Sequence, residues 1–130
     1  MANNEHAALI RLGYPVWNEW RSNNPDIVPD LSSEDLAETY LANMDLTKAN
    51  FENANLTKAV LTNSFLHYAN LSNANMEEAH LGRASLSRSN LSGANMARSH
   101  LSHAVLQEAD LTDCNLREAT SKGTLPRHLD

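Results

Sequence analysis

The stretch ANLSNANMEE, residues 69–78, holds two copies of one pattern: a small residue, an Asn, a large apolar residue and two polar residues. Outward from it, a Leu, Phe or Met recurs at every fifth position from Leu31 to Leu116, which makes 18 consecutive positions. Two residues before these positions, Ala, Ser or Cys fills all 15 places from Ala49 to Ala119. Because a repeat of fixed period governs the whole architecture, this pattern decides the fold.

A period of five fits neither ordinary secondary structure. On an α-helix, five residues turn the chain through about 500°, so successive leucines would spiral round the helix. On a flat strand, an odd period would send successive leucines to opposite faces. The pattern therefore predicts a backbone that turns once per repeat, with four repeats in each square coil and the large and small residues both pointing inward. Asparagines such as Asn50 and Asn70 are expected at the tight corners, because Asn tolerates turn geometry and bonds nearby backbone.

The intact copies of the pattern carry a family resemblance. They are Ala49-Asn50-Phe51, Ala54-Asn55-Leu56, Ala69-Asn70-Leu71, Ala74-Asn75-Met76, Ala94-Asn95-Met96 and Ala109-Asp110-Leu111. They resemble the consensus Ala-(Asp/Asn)-Leu-X-X of the pentapeptide repeat family, and residues 17–32 are similar to a leader that precedes such repeats in cyanobacterial proteins. The resemblance implies an all-β fold, a right-handed quadrilateral β-helix, here of about four coils.

The segment before the repeats predicts a short α-helical cap. A solenoid leaves its end coils open, so an N-terminal element is expected to cover the first coil. Residues 4–12 have the pattern of an amphipathic helix that Gly13 ends. Pro15 suits the first turn of a second helix, in which Trp17 and Trp20 share one face. We expect the two tryptophans to cover the first coil; the alternative is an exposed pair that binds a partner.

These patterns divide the chain into three parts. Residues 1–30 form the cap and an extended connector, residues 31–121 the solenoid, and residues 122–130 a tail or second cap. Glu34 stands where a small inward residue belongs, and a charge in the lumen is costly, so regular coils are expected only from about residues 39–45. If the tail leaves the last coil open, that end is a candidate dimer interface, so the expected state is a monomer or an end-to-end homodimer.

Residues twenty apart should stack about 4.8 Å from one another, which assigns side chains to faces. One face carries His80, His100, Arg83 and His103. The three histidines are weak candidates for a metal site, since no carboxylate or thiol shares their face; the alternative is a solvated patch that takes up protons.

Another face is expected to present exposed apolar side chains, which can mark a partner site. The candidate partner-binding residues on both faces are Phe65, Tyr68, Val105, His80, Arg83 and His100.

Composition excludes several classes of function. The net charge of −6 argues against direct nucleic-acid binding, which needs a basic surface. The single cysteine, Cys114, allows neither an intramolecular disulfide nor a cysteine metal cluster, and its inward position predicts a buried, inert thiol. No catalytic motif occurs, so neither an enzyme nor a cofactor is expected. The start resembles no secretory signal and no apolar run could span a bilayer, so a cytoplasmic protein without membrane contact is expected.

Three functions follow as hypotheses. The first is a non-catalytic scaffold whose rigid faces bind an unknown protein partner. The second comes from the family resemblance: some members protect bacterial gyrase from quinolones as dimeric rods whose negative surface resembles DNA. Here the acidic residues are sparse and are interrupted by Arg83, Arg88 and Arg98. The third is a weak metal-binding module that uses the surface histidines.

Overall fold

The computed structural model describes residues 2–126, which begin with two short helices. Helix α1 spans Asn4–Ile10 and helix α2 spans Tyr14–Asn23. The side chain of Asn3 accepts hydrogen bonds from the first N–H groups of α1, so it acts as the N-cap. Gly13 adopts a φ of +97° between the helices, a conformation that favours glycine. Neither helix is long and apolar enough to cross a membrane.

After the helices, the chain forms a ladder of parallel β-bridges, each joining residues twenty apart. The ladder begins with Asp30 and Asn50 and ends with Val105 and Leu125. Within residues 2–126 each side of a coil contributes one bridging residue, and no strand is longer than that. The ladder thus begins about ten residues before the expected start of regular coils, and it extends past residue 121. Residues 127–130 of the expected tail lie outside the described residues.

Each repeat ends in the same tight turn. The carbonyl oxygen of the large inward residue accepts a hydrogen bond from the N–H three residues later, as between Phe51 and Ala54 at 2.9 Å. The third residue of the turn has a φ near +60° in 17 non-glycine residues, and Gly93 and Gly123 occupy equivalent positions. A positive φ at this position is that of a type II turn. The left-handed residue therefore lies two places after the large residue, and not at the Asn before it as the sequence analysis expected.

The two inward registers fill the lumen. The large residues from Leu31 to Leu106 are at most 2% exposed, and most of the alanines between them are equally buried. Burial of one leucine side chain contributes about 1.5–3 kcal/mol, so the stacked register dominates stability. Toward the last coil, Leu111 and Leu116 are only half-buried among the described residues.

The start of the ladder at Asp30 is explained by the way Glu34 is accommodated. Its carboxylate forms an ion pair with Arg11 at 3.0 Å and stays 25% exposed. The charge therefore lies at the edge of the first coil, where Arg11, the residue that follows α1, is its partner, and not in a closed lumen. Met44, another large residue in the small register, is fully buried. It belongs to the same buried apolar cluster as Ile10 and Trp17 of the two helices.

The helical segment, residues 4–23, packs directly on this coil. Trp17 is fully buried in the same apolar cluster as Leu31, and Trp20 packs against that cluster while remaining partly exposed. The two indole rings lie 5.2 Å apart. The indole N–H of Trp17 donates to the carbonyl oxygen of Asp45 at 2.8 Å. The structure therefore places both tryptophans at the first coil, with Trp17 as the deeper anchor.

Side chains of the helical segment also form hydrogen bonds with backbone groups of the first coil. In a longer solenoid, these groups would bond the backbone of a preceding coil. The guanidinium of Arg11 donates to the Asp35 carbonyl, and that of Arg21 to the Thr47 carbonyl. The Asn18 amide oxygen accepts from the N–H of Asp45 at 2.8 Å. In later coils, the equivalent groups bond the adjacent coil. The helical segment thus reproduces with side chains several bonds that one more coil would make with its backbone.

Candidate functional site

The bridging residues define four faces, because each one points outward from the middle of its side and stacks on residues twenty apart. We name the faces A to D by these columns. The columns are A, Asp30, Asn50, Asn70, Asn90 and Asp110; B, Asp35, Asn55, Asn75, Asn95 and Asn115; C, Tyr40, Val60, His80, His100 and Thr120; and D, Asp45, Phe65, Ser85, Val105 and Leu125. Faces A and B carry Asp or Asn at every position, whereas faces C and D do so only at Asp45.

The Asp and Asn side chains of faces A and B serve the adjacent turn. At Asn70 the amide oxygen accepts from the N–H of Ser72 at 3.0 Å and from its hydroxyl at 2.7 Å. Every column position of faces A and B makes the same bond to the N–H two residues later. Hydrogen bonds from Ser32 and Thr112 lower the pKa of Asp30 and Asp110, respectively. These side chains form Asx turns and are part of the scaffold.

On faces C and D, all but one of the column side chains form no Asx turn. In the described residues only Asp45 makes the equivalent bond there, to the N–H of Thr47 at 3.1 Å. The other nine column side chains are aromatic, aliphatic, imidazole or hydroxyl groups, none of which bonds its own turn in this way. Because the fold does not require these residue types, they are the outward positions at which a function can be encoded.

The structure brings the expected partner-binding residues onto these two faces. Phe65 and Val105 lie in column D, and His80 and His100 lie in column C. Arg83 is at the corner that joins the two faces. Tyr68 is at the far corner of face D, and its side chain, like that of Phe65, is about half exposed. The six residues expected on separate faces therefore share one continuous surface that wraps round a corner.

Sequence reasoning missed part of this surface. Tyr40, at the start of column C, is 66% exposed. At the far corner of face D, Arg88 donates to the Tyr68 hydroxyl at 2.6 Å and to Glu108 at 2.8 Å. Glu108, followed by Tyr68, raises the pKa of the Arg88 guanidinium. The spacing of twenty between residues 68, 88 and 108 is the signal that would have found this column.

Face D also has a shallow groove with an aromatic edge. The groove has a volume of about 230 Å³, and its lining includes His67, Tyr68 and Arg88. The ring of His67 stacks beside Phe65 with centroids 6.5 Å apart, and its Nε2 lies 3.0 Å from the Ser85 hydroxyl. These contacts hold the aromatic rings in place while leaving their outer surfaces exposed, which suits contact with a partner.

On face C the imidazoles of His80 and His100 stack in parallel, with centroids 4.6 Å apart and an interplanar angle of 5°. His103 lies on the corner column, one coil from Arg83. In residues 2–126, no group of three or more His, Cys, Asp or Glu side chains is arranged to hold a metal ion. The pair is therefore an exposed imidazole stack, and its proximity agrees with the expected spacing.

Two buried serines and the single cysteine show no sign of catalytic activation. The hydroxyls of Ser64 and Ser89 are buried and donate to the Leu61 and Leu86 carbonyls. Cys114 is half-buried, and burial raises the pKa of its thiol to about 11. The thiol is therefore protonated at neutral pH, which makes it a poor nucleophile.

Comparison with known proteins agrees with this architecture. The sequence matches the family model for pentapeptide repeats in eight copies, over residues 35–67, 64–102 and 84–120. A search of curated proteins gave no significant match.

Solved structures similar to this chain include two pentapeptide repeat proteins. One, from the thylakoid lumen of Arabidopsis thaliana, has a TM-score of 0.58 and 24% identity, covering 69% of this chain and 59% of that one. Another, from the cyanobacterium Cyanothece 51142, has a TM-score of 0.44 and 31% identity, covering 69% of this chain and 62% of that one. This chain thus spans about three fifths of the length of these structures.

Proposed function

Since the chain belongs to the pentapeptide repeat family, whose members form right-handed quadrilateral β-helices, we propose that it is a non-catalytic interaction module. It binds a protein partner through faces C and D. The observation that carries the proposal is the uneven distribution of Asp and Asn. On faces A and B, every column side chain accepts a hydrogen bond from the N–H of its own turn. On faces C and D, every column side chain except that of Asp45 makes no such bond.

The composition of the free surface supports a protein as the partner. Exposed aromatic and arginine side chains are enriched at protein interfaces. Phe65, Tyr68 and Tyr40 are each more than half exposed, and they lie on or at the edge of faces C and D. The scaffold below them is a continuous ladder, so these side chains are presented on a rigid surface, which lowers the entropic cost of binding.

A pull-down with paired variants tests this proposal. Wild-type protein, a Phe65→Ala/Tyr68→Ala variant and a Glu52→Ala/Asp113→Ala control are immobilised and exposed to lysate of the native organism. The control removes two exposed side chains from the corner that follows face A. We expect a partner that the wild type and the control retain and the Phe65→Ala/Tyr68→Ala variant loses, with purified components then reproducing the difference. A partner lost equally from the control would refute binding through faces C and D.

The charge distribution gives less support to a DNA mimic that acts on gyrase. Column A is acidic only at its two ends, Asp30 and Asp110, with asparagine between them. Arg83, Arg88 and Arg98 interrupt the negative surface elsewhere. A supercoiling assay with purified gyrase separates the two functions, because a mimic inhibits or protects the enzyme at micromolar concentration and a scaffold for another partner has no effect.

A weak metal-binding module is the third function, and the stacked pair of His80 and His100 is its support. Zinc titration by calorimetry tests it. A stoichiometric complex lost in the His80→Ala/His100→Ala variant would establish the function, and the absence of binding heat would exclude it.

A further inference from the structure

Face C, together with the corner that follows it, contains no acidic residue. The chain has 16 Asp and Glu residues and a net charge of −6, yet none of these acids falls in the five segments that form this strip. The segments are 39–43, 59–63, 79–83, 99–103 and 119–123. The same strip carries Arg83, Lys122 and three histidines. It is therefore a locally cationic surface on an acidic protein.

Arg83 is exceptional among the described arginines. Each of the others forms an ion pair or donates to backbone carbonyls, as Arg88 does to Glu108 and Arg21 does to Thr47. Arg83 is exposed and has neither kind of partner within residues 2–126. A guanidinium presents donors in a planar fork that matches a carboxylate bidentately, so a lone exposed arginine is suited to an acidic ligand.

The histidines extend this donor set. His80, His100 and His103 are exposed, and within the described residues none of their rings makes a hydrogen bond. His80 and His100 occupy neighbouring coils in column C, and His103 is one coil beyond Arg83 on the corner column. Because neighbouring coils are about 4.8 Å apart, the four side chains form a compact two-by-two group of donors.

The borders of the strip limit the ligand to a narrow one. At the corner before face C, Glu78 and Glu118 lie within 4 Å of Arg98, which leaves that border without excess positive charge. On the other side, column D begins with Asp45. A strip one face wide and about 20 Å long accommodates a single extended chain. Duplex DNA would bring its phosphates toward Glu78 and Glu118 at one border and Asp45 at the other, on a chain whose net charge is −6.

We propose that face C binds an acidic peptide segment of a partner protein, with Arg83 as the bidentate anchor and the three histidines as additional donors. This inference rests on the proposed function, because it names the chemistry of the partner that faces C and D take. The exposed aromatic residues of face D then contact an apolar part of the same partner beside its acidic segment.

Fluorescence anisotropy with defined peptides tests the inference. The probe is a fluorescein-labelled peptide of alternating Glu and Ser, compared with matched Gln/Ser and Lys/Ser peptides at low salt. We expect saturable binding of the Glu peptide alone, and a Kd that Arg83→Ala raises about tenfold, because the variant loses the charge-assisted hydrogen bonds of the guanidinium. Lys48→Ala removes the same charge from an exposed corner between faces D and A, and it should leave the Kd unchanged.

Several results would overturn the inference. They are no saturable binding of the Glu peptide, equal binding by the Arg83→Ala variant, and equal competition by a single-stranded oligonucleotide, which would indicate a general polyanion site. The outcome is separable from that of the proposed function. A partner whose capture depends on Phe65 and Tyr68 but not on Arg83 would retain faces C and D as the binding surface and refute only the acidic segment.

Discussion

Replacement of Asn70 by alanine tests the division between scaffold faces and free faces directly. The variant loses two hydrogen bonds, from the N–H of Ser72 at 3.0 Å and from its hydroxyl at 2.7 Å. A hydrogen bond contributes about 0.5–1.5 kcal/mol net, so the loss of two in Asn70→Ala should lower the free energy of unfolding by about 1–3 kcal/mol. For a chain of this size that is a fall in Tm of roughly 3–9 °C.

The matched change on a free face is His80→Ala, also at a column position. The His80 side chain is exposed and makes no hydrogen bond within the described residues, so the free energy of unfolding should change by less than about 0.5 kcal/mol. A third variant adds such a hydrogen bond to face C instead of removing one from face A. In the described residues, no side chain accepts a hydrogen bond from the N–H of Gly82. The amide oxygen introduced by His80→Asn can accept that bond, so this variant should be more stable than the wild type by about 0.5–1 kcal/mol.

Thermal unfolding followed by circular dichroism measures all three variants under one buffer. The expected order of Tm is His80→Asn highest, then wild type and His80→Ala together, then Asn70→Ala. The reasoning would be refuted if His80→Ala cost as much as Asn70→Ala, since face C would then belong to the scaffold. It would be equally refuted by an Asn70→Ala variant as stable as the wild type.

Three further perturbations test separate parts of the structure. Trp17→Ala should destabilise the protein by about 3–5 kcal/mol in a urea titration, because it empties a fully buried site on the first coil; a change below 1 kcal/mol would contradict that role. Gly93→Ala should lower the free energy of unfolding by about 1–2 kcal/mol, because φ is +70° and a Cβ would collide with the Asn73 side chain. Gly82→Ala should be nearly neutral, because there is space for a Cβ at that position, and calorimetric Tm values distinguish the two variants. The Cys114 thiol should react with Ellman's reagent at pH 8 at least about tenfold more slowly in the native than in the unfolded protein, since its pKa is about 11 against an ordinary 9.0. Because the native state holds this proton more tightly, stability should decline as pH rises from 9.0 towards 11, a decline that Cys114→Ser should reduce.

The period of five was sufficient to predict the interior of the fold. It assigned both inward registers, and the ladder of bridges twenty residues apart agrees with four repeats per coil. The predicted solenoid began at residue 31, close to the first bridge at Asp30, but regular coils were expected only from about residues 39–45 because the cost of Glu34 was considered without a partner. That partner, Arg11, follows α1 and lies 23 residues earlier in the chain. A period-based pattern carries no information on such a contact, which depends on how a non-repeating segment packs.

The candidate surface was only partly accessible to sequence reasoning. The spacing of twenty assigned Phe65, His80 and Arg83 to outward faces, but it did not separate the faces whose side chains serve the scaffold from those whose side chains are free. Which side chains bond their own turn, as Asn70 does and His80 does not, became visible only with the hydrogen bonds of the structure.

The bonds that the helical segment makes to the first coil determine how copies of this chain can associate. A solenoid with two open ends can add subunits head to tail without limit, which produces fibres. Here side chains such as Arg11, Asn18 and Arg21 already occupy backbone groups that an incoming coil would need. Only the end carrying Leu111 and Leu116 presents half-buried lumen residues among the described coils. An end-to-end homodimer through that end stays a prediction; copies stacked through that end alone and related by a two-fold axis stop at two.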